Sequence, residues 1–177
     1  MALVVPCEAM LGCFMTTLDR CLQLLDRAGV WYSHTGHSLA FTAREVASAE
    51  NLPAHELAKT IIYVGDSGYG MAVLPADCLI DMTALGAILK DPSVRLASER
   101  ELGELCPCCD LGAMPPFGSL FHLPVIVDAT VADQEFIAFN AGTHRDVLHI
   151  SYVDFSQLVK PMVAKFALAA ANQQAGA

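Results

Sequence analysis

The chain has 177 residues, and its 10 lysine and arginine residues against 19 aspartate and glutamate residues give a net charge of −9. Hydrophobic residues make up 54 % of it, yet no stretch approaches the ~18 uncharged apolar residues of a membrane span. The composition argues against a membrane protein, a disordered chain and a protein that wraps duplex DNA or RNA. Any nucleic-acid contact is expected to be local, at one single-stranded end.

The length predicts one domain, residues 17–170, with an N-terminal extension at 1–16 and a fraying tail at 171–177. The seven cysteines show no regular spacing, so reduced thiols and a cytoplasmic location are expected.

In the first third of the chain, the spacing of apolar residues predicts a helix over 17–28, capped by Thr16 or Thr17 and ended by Gly29. A short strand is predicted at 30–32, followed by a polar turn with two histidines. Thr42 with Glu45 three residues on is typical of a capping box, which predicts a second helix to about residue 51. Another short helix is predicted from Pro53.

The middle of the chain predicts a hairpin with strands at 59–64 and 69–74. Helices are predicted from 81 to about 90 and over 99–105, the second capped by Ser98, with a short strand at 94–96 between them. A strand at 123–128 and a hairpin of 135–140 with 147–151 follow. Residues 152–170 read as an amphipathic helix interrupted by Pro161. Short strands joined by hairpins predict an α+β fold with a mostly antiparallel sheet.

Residues 112–118 form the most distinctive segment, Gly-Ala-Met-Pro-Pro-Phe-Gly. Pro115 and Pro116 remove two amide donors and fix φ, while Gly112 and Gly118 allow backbone conformations closed to other residues. The pattern predicts a stiff loop whose remaining amide groups bind an anion or an oxyanion. A tight surface turn is the structural alternative.

Lys59 stands at the head of an apolar strand, where a lysine either extends to the rim or serves as a cationic anchor for a ligand. Cys106 and Cys109 give one CxxC pair without a second pair of ligands at matching spacing. No metal and no cofactor are therefore expected, and these cysteines are interpreted as unligated thiols. His144, at a predicted hairpin tip, could face a cleft.

Seven segments occur in a characteristic order: 42–46 (Thr-Ala-Arg-Glu-Val), 58–62 (Ala-Lys-Thr-Ile-Ile), 73–75, 94–97, the loop 112–118, 127–128 and 140–144 (Asn-Ala-Gly-Thr-His). In this order they resemble the YbaK/EbsC family of aminoacyl-tRNA deacylases, which also occurs as the editing insertion of bacterial prolyl-tRNA synthetases. The resemblance covers residues 18–162.

The resemblance implies a mixed, mostly antiparallel and partly barrel-like sheet flanked by helices. It implies hydrolysis of the ester between a wrong amino acid and the tRNA 3′ end, without a metal or a side-chain nucleophile. Lys59 would hold the terminal adenosine region, and Gly112 to Pro116 would contact the aminoacyl group through the backbone. The partner implied is the aminoacyl-tRNA 3′ end, and an aminoacyl-tRNA synthetase is a second candidate partner. Neither DNA nor a membrane is expected as a partner.

The catalytic candidates are thus Lys59, Gly112 and Pro116. The candidates for substrate binding are Thr42, Thr60, Ala113, Met114, Pro115, Phe117, Gly118, Asn140, Gly142 and His144. Alanyl-specific relatives often carry asparagine where Thr60 stands, so alanyl specificity is not predicted. The alternative function is a non-catalytic module of the same fold that binds an aminoacyl or nucleotide group for regulation.

Overall fold

The computed structural model describes residues 15–36, 45, 48 and 53–169. Thr42 with the helix start predicted there, His37 in the predicted polar turn, and most of the predicted extension (1–14) and tail (171–177) lie outside the described residues. The helices are Thr17–Ala28 (α1), Met82–Leu89 (α2), Glu99–Leu105 (α3), Ala129–Ala132 (α4) and Tyr152–Val159 (α5). The strands are Tyr32–Gly36 (β1), Ala58–Gly65 (β2), Gly68–Pro75 (β3), Cys78–Ile80 (β4), Arg95–Leu96 (β5), Val125–Asp128 (β6), Phe136–Asn140 (β7), Asp146–Ser151 (β8), Met162–Ala164 (β9) and Ala167–Ala169 (β10).

Five strands form the central sheet in the order β5-β2-β3-β6-β9. β5, β2 and β3 pair antiparallel, whereas β6 is parallel to both β3 and β9. A second sheet, β1-β8-β7, is antiparallel, and β4 pairs with β10. The predicted α+β class with mixed, mostly antiparallel strands is confirmed, and within the described residues the sheets do not close into a barrel. No helix among these residues is long and apolar enough to cross a membrane.

The two larger sheets meet where the chain enters β2. Leu57 forms a parallel bridge with Ala138 of β7, whose N–H donates to Glu56 O at 3.0 Å. A shared core lies beneath this junction, and the buried rings of Phe117 and Phe139 pack edge to face at 5.2 Å within it. The bridge and the core hold β2 of one sheet beside β7 of the other.

Helix boundaries follow the capping residues closely. At the start of α1, the Thr16 side chain accepts from the Asp19 N–H and the Asp19 carboxylate accepts from the Thr16 N–H. Gly29 ends this helix with a φ of 66°. Ser98 and Glu101 form the same reciprocal pair at α3. Both predicted helices are confirmed. They could be predicted because side-chain capping is a local interaction between residues close in sequence.

Two secondary-structure predictions in the N-terminal third of the chain are wrong. The strand predicted at 30–32 lies further along the chain, because Tyr32 to Gly36 form β1 and pair with β8. His34 is thus in a strand and not in a turn, and its side chain bonds to that of Asp146 in β8. The helix predicted from Pro53 is a single turn closed by the Glu56 N–H donating to Pro53 O. The bridge to β7 requires extended backbone immediately after this turn.

The prediction of one long helix over 152–170 is also wrong. The helix α5 ends at Val159, and Lys160 adopts a left-handed conformation before Pro161. The chain continues as β9 and β10, and the Asp128 carboxylate accepts from the amides of Phe166 and Ala167, both at 2.7 Å. Burial raises the pKa of Asp128, but these hydrogen bonds, together with those from Thr130, outweigh it and lower the pKa below its usual value. Asp128 thereby fixes the C-terminal strands.

Candidate active site

The loop 112–118 owes its shape to one turn and a buried second half. Gly112 has a φ of 84°, a left-handed conformation that favours glycine. The Ala113 N–H donates to Asp110 O at 3.0 Å, and residues 113–118 are all buried. A Cβ at Gly118 would overlap Leu123 O, so the backbone approaches closely there. The loop is stiff, in keeping with its two prolines.

The turn between β7 and β8 holds this loop from the other side. The Gly142 N–H donates to Ala113 O at 2.8 Å, and the Asp110 N–H donates to Gly142 O at 2.9 Å. The His144 N–H donates to the Asp110 carboxylate, and His144 Nε2 lies 2.8 Å from Leu111 O. His144 is buried, bonds to this loop and lines neither of the two cavities described below.

Two amide groups remain as donors on the accessible part of the loop. Pro115 and Pro116 have no N–H, and the Ala113 amide is bonded to Asp110. Within the described residues, the amides of Gly112 and Met114 donate no hydrogen bond. Both residues line the cavities described next, so these amides could bind a carbonyl oxygen or an oxyanion.

A cavity of about 30 Å³ opens between the loop, β2 and β7; we call it the polar cavity. Its lining consists of Leu57, Ala58, Lys59, Thr60, Gly112, Met114 and Asn140. Thr60 Oγ1 and Asn140 Oδ1 are buried and have no hydrogen-bond partner among the described residues. Sequence reasoning named five of these seven residues and missed Leu57 and Ala58.

Lys59 directs its ammonium group to backbone carbonyls. Its Nζ donates to Cys78 O at 2.5 Å and to Ala76 O at 3.3 Å. Successive side chains of a strand point to opposite faces of the sheet, so Lys59 and Thr60 leave β2 on different sides. The lysine is therefore fixed at the rim of the sheet, beside the cavity that it helps to line.

A neighbouring cavity, also about 30 Å³, shares Thr60, Gly112 and Met114 with the first; we call it the apolar cavity. The rest of its lining is Ile62, Leu102, Cys106, Cys109, Asp110 and Leu111. None of these six was predicted as a site residue. Cys106 directly follows the helix predicted over 99–105 and comes four residues after Leu102, and this spacing is the signal that could have placed both on one face.

The cysteines of this cavity correct a prediction, because Cys106 and Cys109 form a disulfide instead of remaining unligated thiols. The Cys109 N–H donates to Cys106 O at 3.1 Å, and this turn after α3 brings their Cα atoms within 5.5 Å. Cys108 is an exposed thiol between them. Buried Thr17 donates from Oγ1 to Cys108 O at 3.0 Å and ties α1 to this turn.

The predicted site residues thus separate into two groups. Lys59, Thr60, Gly112, Met114 and Asn140 surround the polar cavity. The others that the structure describes line neither cavity; they belong to the buried part of the loop (Ala113, Pro115, Pro116, Phe117 and Gly118) or to the turn after β7 (Gly142 and His144). Among the described residues, no three His, Cys, Asp or Glu side chains are grouped to hold a metal ion.

Comparison with known proteins supplies the family. Residues 37–158 match the aminoacyl-tRNA editing domain, and the chain belongs to this family. A stretch of 61 residues, 34 % of this chain, is 34 % identical to the proline–tRNA ligase of Thermotoga neapolitana (strain ATCC 49049 / DSM 4359 / NBRC 107923 / NS-E) and spans 11 % of that ligase.

Two solved structures have the same fold. The hypothetical protein APE2540 superposes with a TM-score of 0.77 at 20 % identity, over 84 % of this chain and 99 % of that one. A proposed trans-editing enzyme for prolyl tRNA synthetase superposes with a TM-score of 0.74 at 21 % identity, over 86 % and 97 % of the two chains. At these identities the likeness concerns the fold alone.

Proposed function

We propose that this protein is a trans-editing hydrolase, which deacylates mischarged aminoacyl-tRNA by cleaving the aminoacyl ester at the tRNA 3′ end. The observation that carries the proposal is the polar cavity of an aminoacyl-tRNA editing domain, which Gly112 and Met114 of the loop line together with Thr60 and Asn140. Such a site can hold an ester carbonyl on one side and a polar group of the amino acid on the other.

The reaction requires little from side chains, because an aminoacyl ester is already activated. Water attacks the carbonyl carbon, and the loop amides of Gly112 and Met114 stabilise the negative charge that develops on the carbonyl oxygen. The ester bond to the ribose oxygen then breaks, that oxygen takes up a proton, and the products are the free amino acid and deacylated tRNA. Positioning of the ester and the water supplies the rest of the rate enhancement.

Lys59 is proposed to anchor the tRNA terminus from the rim of the cavity. Its ammonium group, positioned by the carbonyls of Ala76 and Cys78, places a positive charge beside the site in a protein of net charge −9. One local cation is suited to a single phosphate of a splayed, single-stranded end and not to a duplex. Pro116, in the buried part of the loop, supports the loop conformation.

A non-catalytic module of the same fold, binding an aminoacyl or nucleotide group, is the second candidate. The bonding of the Lys59 ammonium to backbone carbonyls favours it, because a lysine held this way also serves a structural purpose. The net charge of −9 favours it as well, since tRNA is a polyanion.

The two candidates are separated by measuring amino-acid release from a panel of mischarged tRNAs that includes Ala-, Ser-, Thr- and Cys-tRNA. Release from one or two members, lost in Lys59→Ala, is expected of the hydrolase. Lys165→Ala is the matched control, because it removes an exposed lysine that lines neither cavity. Binding of tRNA without release would establish the second candidate, and full activity in Lys59→Ala would contradict the role given to Lys59.

A further inference from the structure

Three of the seven cysteines stand together between α3 and the loop 112–118. Cys106 and Cys109 form a disulfide across three positions of the chain, and Cys108 carries an exposed thiol between them. A cross-link over so short a loop removes less conformational entropy from the unfolded chain than a longer one does. Stability alone is therefore a weak reason for this disulfide, and Cys-x-x-Cys pairs are typical of sites that exchange with other thiols.

The two cysteines of the pair differ in accessibility. Cys106 is buried, whereas Cys109 is partly exposed, and the exposed residues Pro107 and Cys108 lie between them. Thiol–disulfide exchange begins with attack of a thiolate on one sulfur of the disulfide, so its rate depends on access to that sulfur. The structure therefore favours attack at Cys109, with Cys106 as the leaving group.

The turn that carries the disulfide is bonded to two other elements. Thr17 of α1 donates from Oγ1 to Cys108 O at 3.0 Å, and Thr17 Oγ1 also lies 3.3 Å from Cys109 Sγ. The Asp110 N–H donates to Gly142 O at 2.9 Å in the turn after β7. The position of Cys109 is therefore linked to α1 and to the second sheet.

The disulfide is also in contact with the loop 112–118. Cys106 and Met114 belong to one buried cluster, and Cys109 packs against it. Both cysteines line the apolar cavity together with Gly112 and Met114. Two thiol sulfurs repel each other at the distance of a covalent bond, so the turn must widen on reduction and these contacts must change. The redox state of the pair is thus coupled to the loop.

Under the proposed function, the protein works where tRNA is charged, in a compartment rich in small thiols. Disulfides in such a compartment are usually transient and serve catalysis or redox sensing. The class of reactant that the pair meets is therefore a small thiol with its disulfide, such as reduced and oxidised glutathione.

We propose that Cys106 and Cys109 form a redox-active site that exchanges with a small thiol and its disulfide, and that the redox state of this pair controls how firmly the loop 112–118 is held. The exchange and its effect on the loop can be measured without any deacylase activity. The consequence for catalysis rests on the proposed function: the oxidised protein discriminates among substrates more sharply than the reduced one, because the disulfide belongs to the wall of the apolar cavity.

Reduction proceeds in two exchanges. A thiolate of the small thiol attacks Cys109 Sγ, the sulfur–sulfur bond breaks with its electron pair going to Cys106 Sγ, and Cys106 takes up a proton. A second thiolate attacks the small-thiol sulfur of the mixed disulfide and releases Cys109, which also takes up a proton. The protein gains two electrons and two protons, and two small thiols become one disulfide.

Exchange is tested by equilibrating the folded full chain in glutathione mixtures that range from reducing to oxidising. Cys108→Ser is used, so that the peptide around residues 106–109 contains only the pair, and differential alkylation with mass spectrometry gives the reduced fraction. We expect a two-electron transition within this range, reached from both directions. A pair that stays oxidised in the most reducing mixture, or reduced in the most oxidising one, overturns the proposal.

Hydrogen exchange tests the coupling to the loop. The amides of Cys109, Asp110 and Ala113 are hydrogen-bonded, so their exchange rates report opening of the turn. They should exchange roughly 10-fold faster or more in the reduced protein than in the oxidised protein, while the amides of β2 and β3 keep their rates. Equal rates at the turn in the two states would overturn the coupling.

Cys106→Ser with Cys109→Ser is the variant that cannot respond to glutathione. Its exchange rates should match those of the reduced wild-type protein in every mixture. Cys108→Ser keeps the disulfide and should follow the wild type. A response that persists in the double variant would assign the effect to another cysteine and contradict this site.

The tRNA panel measures the consequence for catalysis. The ratio of kcat/KM between the best substrate and the next should be roughly 3-fold or more larger in the oxidised protein than in the reduced one. An unchanged ratio would overturn the control of discrimination. If no member of the panel is hydrolysed, the deacylase proposal fails, whereas the glutathione titration and hydrogen exchange still decide the redox site.

Discussion

The polar and apolar cavities share Thr60, Gly112 and Met114 but differ in the structure that surrounds them. The polar cavity lies between strands of two sheets that are joined by the bridge of Leu57 to Ala138. The outer wall of the apolar cavity is α3, which has no buried residue of its own between Glu99 and Leu105, and the turn that carries the disulfide.

The attachments of the two walls differ in strength. Hydrogen bonds with Arg95 and Ser98 hold Glu101 of α3 in place and keep its pKa well below the usual range, but Arg95 is exposed, and such surface pairs stabilise little. The strands around the polar cavity are held by backbone ladders and a buried core. The polar cavity thus has the more firmly held wall, and the apolar cavity has the more weakly attached one.

The largest effect on stability is expected from a residue that lines neither cavity. Asp128→Asn weakens the buried hydrogen bonds to Phe166 and Ala167 and should cost about 2–3 kcal/mol at pH 7, while the ranking of substrates stays unchanged. Denaturant unfolding and the tRNA panel measure the two quantities. A changed ranking would show that the cavities respond to remote loosening.

The same variant has a defined pH dependence. Because folding lowers the pKa of Asp128, its carboxylate stabilises the fold above the unfolded-state pKa of about 4, and this contribution is lost as the pH falls through the folded-state value. The difference in free energy of unfolding between wild type and Asp128→Asn should therefore shrink below pH ~4. A difference that is constant with pH would mean that the charge of Asp128 is not involved.

Removal of the disulfide changes the lining of the apolar cavity and leaves the lining of the polar cavity unchanged. Cys106→Ser with Cys109→Ser should lower the free energy of unfolding by about 2 kcal/mol, the chain-entropy value for so short a loop. Discrimination among side chains should weaken while hydrolysis of the best substrate persists. Cys108→Ser, at the exposed thiol between them, is the control and should change neither quantity.

Gly112→Ala alters the wall that the two cavities share. A Cβ would meet no closer atom than His144 Cε1 at 3.9 Å, so the penalty is one of backbone conformation, about 1–2 kcal/mol at a φ of 84°. If the backbone relaxes to relieve that strain, the loop amides change direction and no longer point at the developing oxyanion. We therefore expect kcat/KM to fall by roughly 10-fold or more. Full activity with an unchanged Tm would exclude a catalytic role for this loop conformation.

The smallest effect is expected at Gly103 on the exposed face of α3. No atom lies within 4 Å of a Cβ placed there, and an alanine in a helix is favoured over glycine by about 0.5–1 kcal/mol. Gly103→Ala should raise the Tm slightly and leave activity unchanged. A fall in activity would mean that movement of α3 is required, and that the more weakly attached wall takes part in turnover.

Local interactions could be read from the sequence. The Thr16 and Ser98 caps, the left-handed Gly29 and the hairpin around Gly65 to Gly68 each depend on residues a few positions apart, and the structure has all of them where they were predicted. The order of the segments from Thr42 to His144 was sufficient to identify the family that residues 37–158 match. These features require no knowledge of how the sheets pack.

Tertiary structure decided the rest. Residues 162–169 form β9 and β10 and not a helix because β6, β4 and the Asp128 carboxylate offer partners from elsewhere in the chain. The same applies to the buried oxygens of Thr60 and Asn140, which lie 80 positions apart and have no hydrogen-bond partner in the part of the chain that the structure describes. A sequence specifies hydrogen-bonding groups, but only the packing of two sheets determines which of them are buried.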